Sequence, residues 1–284
     1  MNQLLLTVLL TIASAMSLLA QSAPATGGAA YTINGQIRGV SDTTCVLAHY
    51  YGTTQYIPKD TARTDHDGRL VLTGTKPLPE GLYLLVTPKN GYIEFLIDSD
   101  QTFSFATDTG SVVKNMKITG SKENELFYGY QQSLNKLYEE ASVLNKQKKA
   151  GDATANADVD KKMALLQKQA QAERDQLFTA NKNAFAVKII KAASEPEVPT
   201  APKASNGRPD SVWVFNYFKK HFWDDYDFSD ERFIRTNILQ RKLDRYIKEL
   251  TVQNADSLVK EADYVVGKAQ AGKNKDVVSY VIEN

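Results

Sequence analysis

The apolar residues of this sequence change their period once, at Gly120-Ser121, and that change limits the folds open to the chain. Between Tyr31 and Thr119 apolar and polar residues mostly alternate, as Ile33 and its polar neighbours do, which is typical of half-buried strands. Beyond Ser121 the apolar residues recur at three- and four-residue spacings, as on one face of a helix. The sequence therefore predicts an α+β chain, with a β domain over residues 31–119 and an all-α region after it.

The β domain is predicted from short runs of strand-forming residues. Turn residues such as Asp67-Gly68 and Pro79-Glu80-Gly81 separate these runs. Strands this short and evenly spaced, without a helical pattern between them, indicate an antiparallel β-sandwich or open barrel. The predicted strands span residues 31–38, 46–51, 54–57, 69–73, 83–87, 92–97, 102–106 and 113–119.

Residues 121–193 predict a helical hairpin. Ser121 is a suitable N-cap for the first helix, and a second helical pattern starts near Asp158 and breaks around residues 181–183. Two long helices joined by a short polar turn form an antiparallel pair. Residues 194–210 contain four of the nine prolines, which predicts a Pro-rich linker after the hairpin.

Residues 211–284 predict a helical connector. Its first helix spans about 211–223, and Ser229 is the expected N-cap of the next helix, because Asp230 and Glu231 would then suit the positive helix end. Helical patterns continue over 255–271 and 276–282. No capping glycine follows the last of them, so the pattern predicts that the connector is truncated at Asn284.

The N-terminus predicts export. Residues 4–19 form an apolar run broken only by small or hydroxylated residues, and small polar residues follow it. That is the layout of a signal peptide over residues 1–20, cleaved near Ala20. An uncleaved anchor is the alternative, although the run is shorter than the roughly 20 residues that a membrane span needs. We expect a periplasmic mature protein without a membrane span.

Charge and cysteine content exclude two classes of protein. The 34 basic and 33 acidic residues nearly cancel, so the chain lacks the basic footprint of a nucleic-acid-binding protein. Cys45 is the only cysteine, and these 284 residues therefore contain neither an intramolecular disulfide nor a CxxC redox pair. Cys45 lies in a strand-like run, which favours a buried thiol, and a reactive thiol is the alternative.

Several motifs resemble known sites, but each lacks an essential residue. Residues 267–274 match the phosphate-binding pattern GxxxxGK[ST] until Asn274, which replaces the hydroxyl that binds magnesium. In the acidic run 224–231, an EF-hand that starts at Asp225 would need glycine at position 230 and glutamate at 236, where the sequence has Asp230 and Thr236. The segment Asp65–Gly68 favours a turn over a metal site. The three histidines lack zinc spacing, and there is no GxSxG nucleophile motif. We predict no catalytic residue, cofactor or metal site.

Eight aromatic residues, including both tryptophans, lie between Trp213 and Phe228. Most aromatic residues pack in a core, and that is one interpretation of this cluster. The alternative is a docking surface, because aromatic anchors dominate the energetics of interfaces. The candidate partner contacts are Trp213, Tyr217, Trp223 and Tyr226.

Two groups of segments carry a resemblance to a known family. The first group comprises YTINGQI at 31–37, KDTA at 59–62 before DGRL at 67–70, FLID at 95–98 and ITGSKEN at 118–124. These resemble the N-terminal β domain of envelope proteins that carry a C-terminal TlpA-like thioredoxin domain. The second group, EPEVP at 195–199, FWD at 222–224 and FSDER at 228–232, is similar to the helical connector of the same proteins.

The resemblance implies a periplasmic thiol-disulfide oxidoreductase whose chemistry resides in a CxxC-containing thioredoxin fold. This sequence contains no such fold, so no catalytic residue carries over to it. The leading hypothesis is a noncatalytic accessory region that positions or selects substrates for a thioredoxin-like domain. The alternatives are an independent module that binds an envelope protein or glycan, and a redox enzyme that uses Cys45.

Overall fold

The computed structural model describes residues 29–52, 55–88, 91–148 and 153–284, with side chains described from residue 156 in the last range. Within these ranges the strands come first and the long helices follow. The predicted α+β class, a β-sandwich before an all-α region, is confirmed. The predicted signal peptide, residues 1–20, lies outside the described residues, so export stays a prediction.

The strands of the described chain divide equally between two stacked sheets. They are β1 (Tyr31–Arg38), β2 (Thr44–Tyr51), β3 (Gln55–Arg63), β4 (Arg69–Gly74), β5 (Gly81–Thr87), β6 (Gly91–Ile97), β7 (Thr102–Asp108) and β8 (Lys117–Thr119). The first sheet has the order β4-β1-β7-β8 and the second has the order β3-β2-β5-β6. Neighbouring strands are antiparallel except β1 and β7, which run parallel.

The core of the sandwich follows from the alternating pattern of its strands. Ile33, Gly35 and Ile37 of β1 are buried, whereas Asn34 and Gln36 between them are more exposed. Phe95 of the second sheet meets Phe103 and Phe105 of the first, with ring centres 5.7 and 4.6 Å apart. Burying a side chain of this size contributes about 1.5–3 kcal/mol relative to leaving it exposed. This shared apolar layer holds the two sheets together.

The predicted strand 113–119 is wrong in its first half. Residues Val112–Asn115 form a short helix, α1, and only Lys117–Thr119 pair with β7. The side-chain amide of Gln132 donates hydrogen bonds to the carbonyl oxygens of Val113 and Met116, at 3.0 and 2.8 Å. Those carbonyls are therefore satisfied by the following helix instead of a neighbouring strand, which a local pattern of seven residues does not reveal.

Three helices follow β8: α2 (Lys122–Gln147), α3 (Ala153–Ala180) and α4 (Phe185–Ala193). Ser121 caps α2 as predicted, because its hydroxyl accepts a hydrogen bond from the backbone N–H of Asn124 at 3.4 Å. The Ser133 hydroxyl of α2 donates to the Glu173 carboxylate of α3, which ties the two long helices together. A turn over residues 181–183 separates α3 from α4, as the sequence indicated.

The C-terminal half begins with the Pro-rich residues 194–210, which are irregular apart from one bridge between Lys203 and Pro209. The helices after it are α5 (Ser211–His221), α6 (Ile238–Lys248), α7 (Ala255–Gly272) and α8 (Lys275–Glu283), with a 3-10 helix over Glu231–Arg235. None of the helices in the described ranges is both long and apolar enough to cross a bilayer.

The predicted N-cap at Ser229 is wrong. Asp230 caps the 3-10 helix by accepting a hydrogen bond from the backbone N–H of Arg232, and the next α-helix begins only at Ile238. The Ser229 hydroxyl instead donates to the Asp227 carboxylate at 2.5 Å, and the Asp230 carboxylate also binds Lys188 of α4 at 2.8 Å.

The helical region contacts the sandwich through the first turns of α2. Asn124 is fully buried, and its side chain both accepts from the Leu96 N–H and donates to the Leu96 carbonyl, at 2.8 and 2.7 Å. One amide therefore satisfies a backbone donor and acceptor of β6 that have no strand partner on that side. The side chain of Glu123, the preceding residue, contacts α4 instead of the sheet. Its carboxylate accepts a hydrogen bond from the Ala186 N–H at 2.7 Å, which fixes the start of α4.

Candidate binding surfaces

A network of charged side chains connects α4, the 3-10 helix and the loop before β5. Lys188 lies 2.8 Å from the carboxylates of both Asp227 and Asp230. Arg232 donates two hydrogen bonds to Asp230, at 2.8 and 2.6 Å, and lies 3.7 Å from Glu80. Burial tends to raise the pKa of Asp230, but the hydrogen bonds from Arg232 and Lys188 outweigh it, and the pKa is lowered. The charges satisfy one another, so we interpret the network as structural.

The aromatic cluster around Trp223 and Tyr226 is part of the core. Both side chains are buried, and their rings pack in a T-shaped arrangement 5.7 Å apart. Phe222, Phe228 and Tyr246 surround Trp223 at ring distances of 5.2–5.6 Å. The structure therefore places Trp223 and Tyr226, two of the four predicted partner contacts, in the core.

A lysine side chain also packs against this cluster. The Lys242 ammonium lies 4.1 Å from the centre of the Phe222 ring and 5.5 Å from that of Trp223. Burial lowers the pKa of Lys242 to about 8. The indole nitrogen of Trp223 and the hydroxyl of Tyr226 have no hydrogen-bond partner within the described residues, so the cluster includes buried polar atoms as well as rings.

Helix α5 is different, because none of its residues is buried. Trp213 and Tyr217 are partly buried and stack with their ring centres 5.2 Å apart, and Tyr217 lies 4.2 Å from the ring of His221. Val212 and Phe215 are 66% and 44% exposed. We call Val212, Trp213, Phe215 and Tyr217 the α5 surface. Of the four predicted contact residues, the structure leaves Trp213 and Tyr217 accessible.

The second half of α5 anchors the helix. Phe218 packs against the core, and the guanidinium of Arg245 lies 5.4 Å from its ring centre. Lys219 forms a salt bridge of 3.1 Å with Glu261 of α7. The exposed aromatic residues therefore project from a helix whose position is fixed at its far end.

A second exposed apolar surface lies on the hairpin. A groove of about 550 Å³ between α2 and α3 is lined by Val143, Leu144, Leu165 and Leu166 together with charged residues. Val143 and Leu165 are both more than half exposed. Nothing in the sequence pattern distinguished this groove from the packed side of the hairpin.

Tyrosines also gather around Glu94 on the sheet β3-β2-β5-β6. The Tyr50 hydroxyl donates to the Glu94 carboxylate at 3.1 Å, and the Tyr128 hydroxyl donates to the Glu94 carbonyl at 2.8 Å. The rings of Tyr50 and Tyr56 are 5.3 Å apart, and Tyr92 lies on the same strand as Glu94. Sequence reasoning missed this group, because its members come from three strands and a helix.

The three histidines lie in different parts of the fold. His49 is buried, with Nδ1 2.8 Å from the Tyr50 carbonyl oxygen, and burial lowers its pKa. His66 is exposed beside Asp42, and His221 lies on α5. Across the described part of the chain, no three His, Cys, Asp or Glu side chains converge as a metal ion would require.

Two other motifs have structural roles. The carboxylate of Asp65 accepts hydrogen bonds from the backbone N–H groups of Asp67 and Arg69, at 2.9 and 2.7 Å, which confirms the predicted turn. Most of the segment that resembles a phosphate-binding loop is the end of α7, and Asn274 caps α8 by accepting from the backbone N–H groups of Asp276 and Val277.

Cys45 is fully buried in β2, and burial raises the pKa of its thiol to about 11. The thiolate is the reactive form, so the folded protein disfavours it. We predict that a maleimide reagent leaves native Cys45 unlabelled at pH 7.5 and labels it fully in denaturant. Rapid labelling of the folded protein would contradict the buried location and revive the redox hypothesis.

Comparison with known families adds two matches. Residues 31–127 match a domain of unknown function, DUF4369, and residues 161–283 match another, DUF5106. The first match covers the sandwich and the first turns of α2, including Asn124 and its contact with β6. The second covers most of α3 and the helices after it. No curated protein matches the chain in sequence.

Proposed function

We propose that this chain is a noncatalytic accessory region of the periplasm that positions a protein for a thioredoxin-like thiol-disulfide oxidoreductase domain. The α5 surface carries the proposal, because Trp213 and Tyr217 stack on one face of a helix that has no buried residues. The DUF4369 match supports it, since this domain often occurs in proteins associated with thiol-disulfide oxidoreductases. The single cysteine also supports it, because a redox pair needs two cysteines and would then come from the oxidoreductase domain.

The composition of the α5 surface suits protein recognition. Tryptophan and tyrosine are enriched among the residues that contribute most to binding energy. Trp213 and Tyr217 already stack on each other, so less side-chain freedom is lost when a partner covers them. Val212 lies next to Trp213 and is exposed, whereas the exposed Phe215 lies on the other side of the helix, because residues two positions apart do not share a face. An oxidoreductase domain with an apolar rim would therefore bind here without rearrangement of the helix.

The test is a titration of the purified chain with a purified periplasmic TlpA-like oxidoreductase, followed by calorimetry. We predict that the double variant Trp213→Ala/Tyr217→Ala binds at least about tenfold more weakly, which corresponds to about 1.4 kcal/mol. Thermal unfolding should change little, because neither side chain is buried. An insulin-reduction assay with the chain alone should give no activity above the buffer rate.

Tyr138→Ala is the matched control, because Tyr138 is an exposed aromatic residue on the hairpin. Unchanged affinity for this variant and loss for the α5 variant would support the proposal. Loss with Tyr138→Ala alone would move the contact to the hairpin. Absence of binding to the oxidoreductase by the unaltered chain would overturn the proposed function and favour an independent envelope-binding module.

A further inference from the structure

The carboxylate of Glu94 is incompletely satisfied by the protein. It is half-buried, and its hydrogen-bond donor among the described residues is the Tyr50 hydroxyl at 3.1 Å. It forms no salt bridge within that part of the chain, whereas the half-buried carboxylate of Asp227 binds Lys188 at 2.8 Å. Burial accordingly raises the pKa of Glu94, because no positive charge compensates for the lost solvent.

Several tyrosines lie on the same side of the sheet as this carboxylate. Tyr50 and Tyr56 lie side by side at 5.3 Å, and Tyr92 is on the same face of β6 as Glu94, because the two residues are two positions apart on that strand. Tyr128 approaches from α2. Tyr92 and Tyr56 are 57% and 42% exposed, so the group opens to solvent on their side.

We propose that Glu94 and the tyrosines Tyr50, Tyr56 and Tyr92 bind the ammonium group of a lysine side chain from a peptide or protein. The face of a tyrosine ring attracts a cation, and a carboxylate beside the rings supplies the counter-charge. The site is formed by different residues from the α5 surface, and it does not depend on the proposed function.

The net charge of Glu94 and its neighbouring tyrosines favours a cationic ligand such as the lysine ammonium. These residues contribute one negative charge and no positive charge, so an isolated ammonium is complementary to them. A zwitterionic lipid headgroup would bring a phosphate close to Glu94 without a cation to receive it. A neutral sugar could stack on the rings but would leave the charge of Glu94 uncompensated.

The test uses the tripeptide acetyl-Gly-Lys-Gly-amide, with acetyl-Gly-Gln-Gly-amide as the uncharged control, and follows the signals of ¹³C-labelled tyrosine rings by NMR. We expect the lysine peptide to shift the Tyr92 and Tyr56 signals and the glutamine peptide to leave them unchanged. Glu94→Gln and Tyr92→Ala should each weaken binding about fivefold or more. Tyr92→Phe should retain binding, because the ring face remains.

Tyr92 is exposed, so Tyr92→Ala should remain folded and the result cannot be attributed to unfolding. Tyr138→Ala, on the hairpin, serves as the distant control and should bind as the unaltered chain does. Equal shifts from both peptides, or full binding by Glu94→Gln, would overturn the proposal. So would binding of methyl glucoside or of phosphatidylethanolamine vesicles at these tyrosines without binding of the lysine peptide.

Discussion

Replacing Asp230 with alanine is expected to lower the free energy of unfolding by about 3 kcal/mol, because it removes several charged hydrogen bonds at once and leaves Lys188 with only Asp227 and Arg232 with only Glu80. Asp230 is 8% exposed and accepts hydrogen bonds from Lys188, from the Arg232 side chain and from the Arg232 backbone. It also caps the 3-10 helix. Urea denaturation followed by circular dichroism measures the loss directly.

Asp225→Ala is the control, because Asp225 is exposed and only five residues away. It should change stability by less than about 0.5 kcal/mol. Asp230→Asn tests the charge separately, since it preserves the shape and should also be strongly destabilising. If Asp230→Ala lowers the free energy of unfolding no more than Asp225→Ala does, the charged network does not stabilise the fold.

The same carboxylates make stability depend on pH. Burial tends to raise the pKa values of Asp227 and Asp230, but hydrogen bonds outweigh it and lower both from the usual 3.8. Lys188 and Ser229 donate to Asp227, and Arg232 and Lys188 donate to Asp230. Their contribution to stability is therefore fully present above pH 3.8 and is lost as the pH falls through the lowered pKa values. Asp230→Asn should show a smaller loss of stability on acidification below that pH than the unaltered chain.

Replacing Gly272 with alanine is expected to destabilise the protein by about 1–3 kcal/mol, since a tightly packed site must then move. A methyl group at this position would lie 2.6 Å from the carbonyl carbon and oxygen of Phe228, and backbone atoms cannot rotate away as a flexible side chain can. The end of α7 would have to shift from the segment that contains Phe228. Thermal and urea denaturation both report the effect.

At Gly267, in the same helix, we expect alanine to have the opposite effect on stability. A methyl group there meets nothing within 4 Å, so alanine should stabilise the helix by about 0.5–1 kcal/mol. These are the two glycines of the segment that resembles a phosphate-binding loop. A stabilising Gly272→Ala variant would show that the close approach to Phe228 is not maintained in solution.

Local patterns predicted the elements that depend on local chemistry. The alternation of β1 and the N-cap at Ser121 are both visible in a short stretch of sequence, and both are confirmed. The sandwich also followed from the spacing of short strands. The parallel pairing of β1 with β7 did not, because it joins residues about 70 positions apart and leaves no trace in either strand alone.

The binding surfaces were harder to predict for the same reason. Trp213 and Trp223 lie ten positions apart in one aromatic run, yet only Trp223 is enclosed, because α6 and its Lys242 cover that end of the run. The Tyr50–Glu94 contact spans 44 positions and depends on the register of three strands. Aromatic content identified the region around α5, but tertiary packing decided which rings remain accessible.

The parallel position of β1 also affects the order in which the β domain assembles. β1 lies between β4 and β7, and its hydrogen bonds to β7 begin opposite Thr102. Closing a loop of that length costs conformational entropy, and pairings of this kind slow folding. The first strand to be synthesised is therefore fully paired only after residue Asp108 has emerged. Until then the edge of β1 that faces β7 has no partner, and the incomplete sheet exposes unpaired backbone groups.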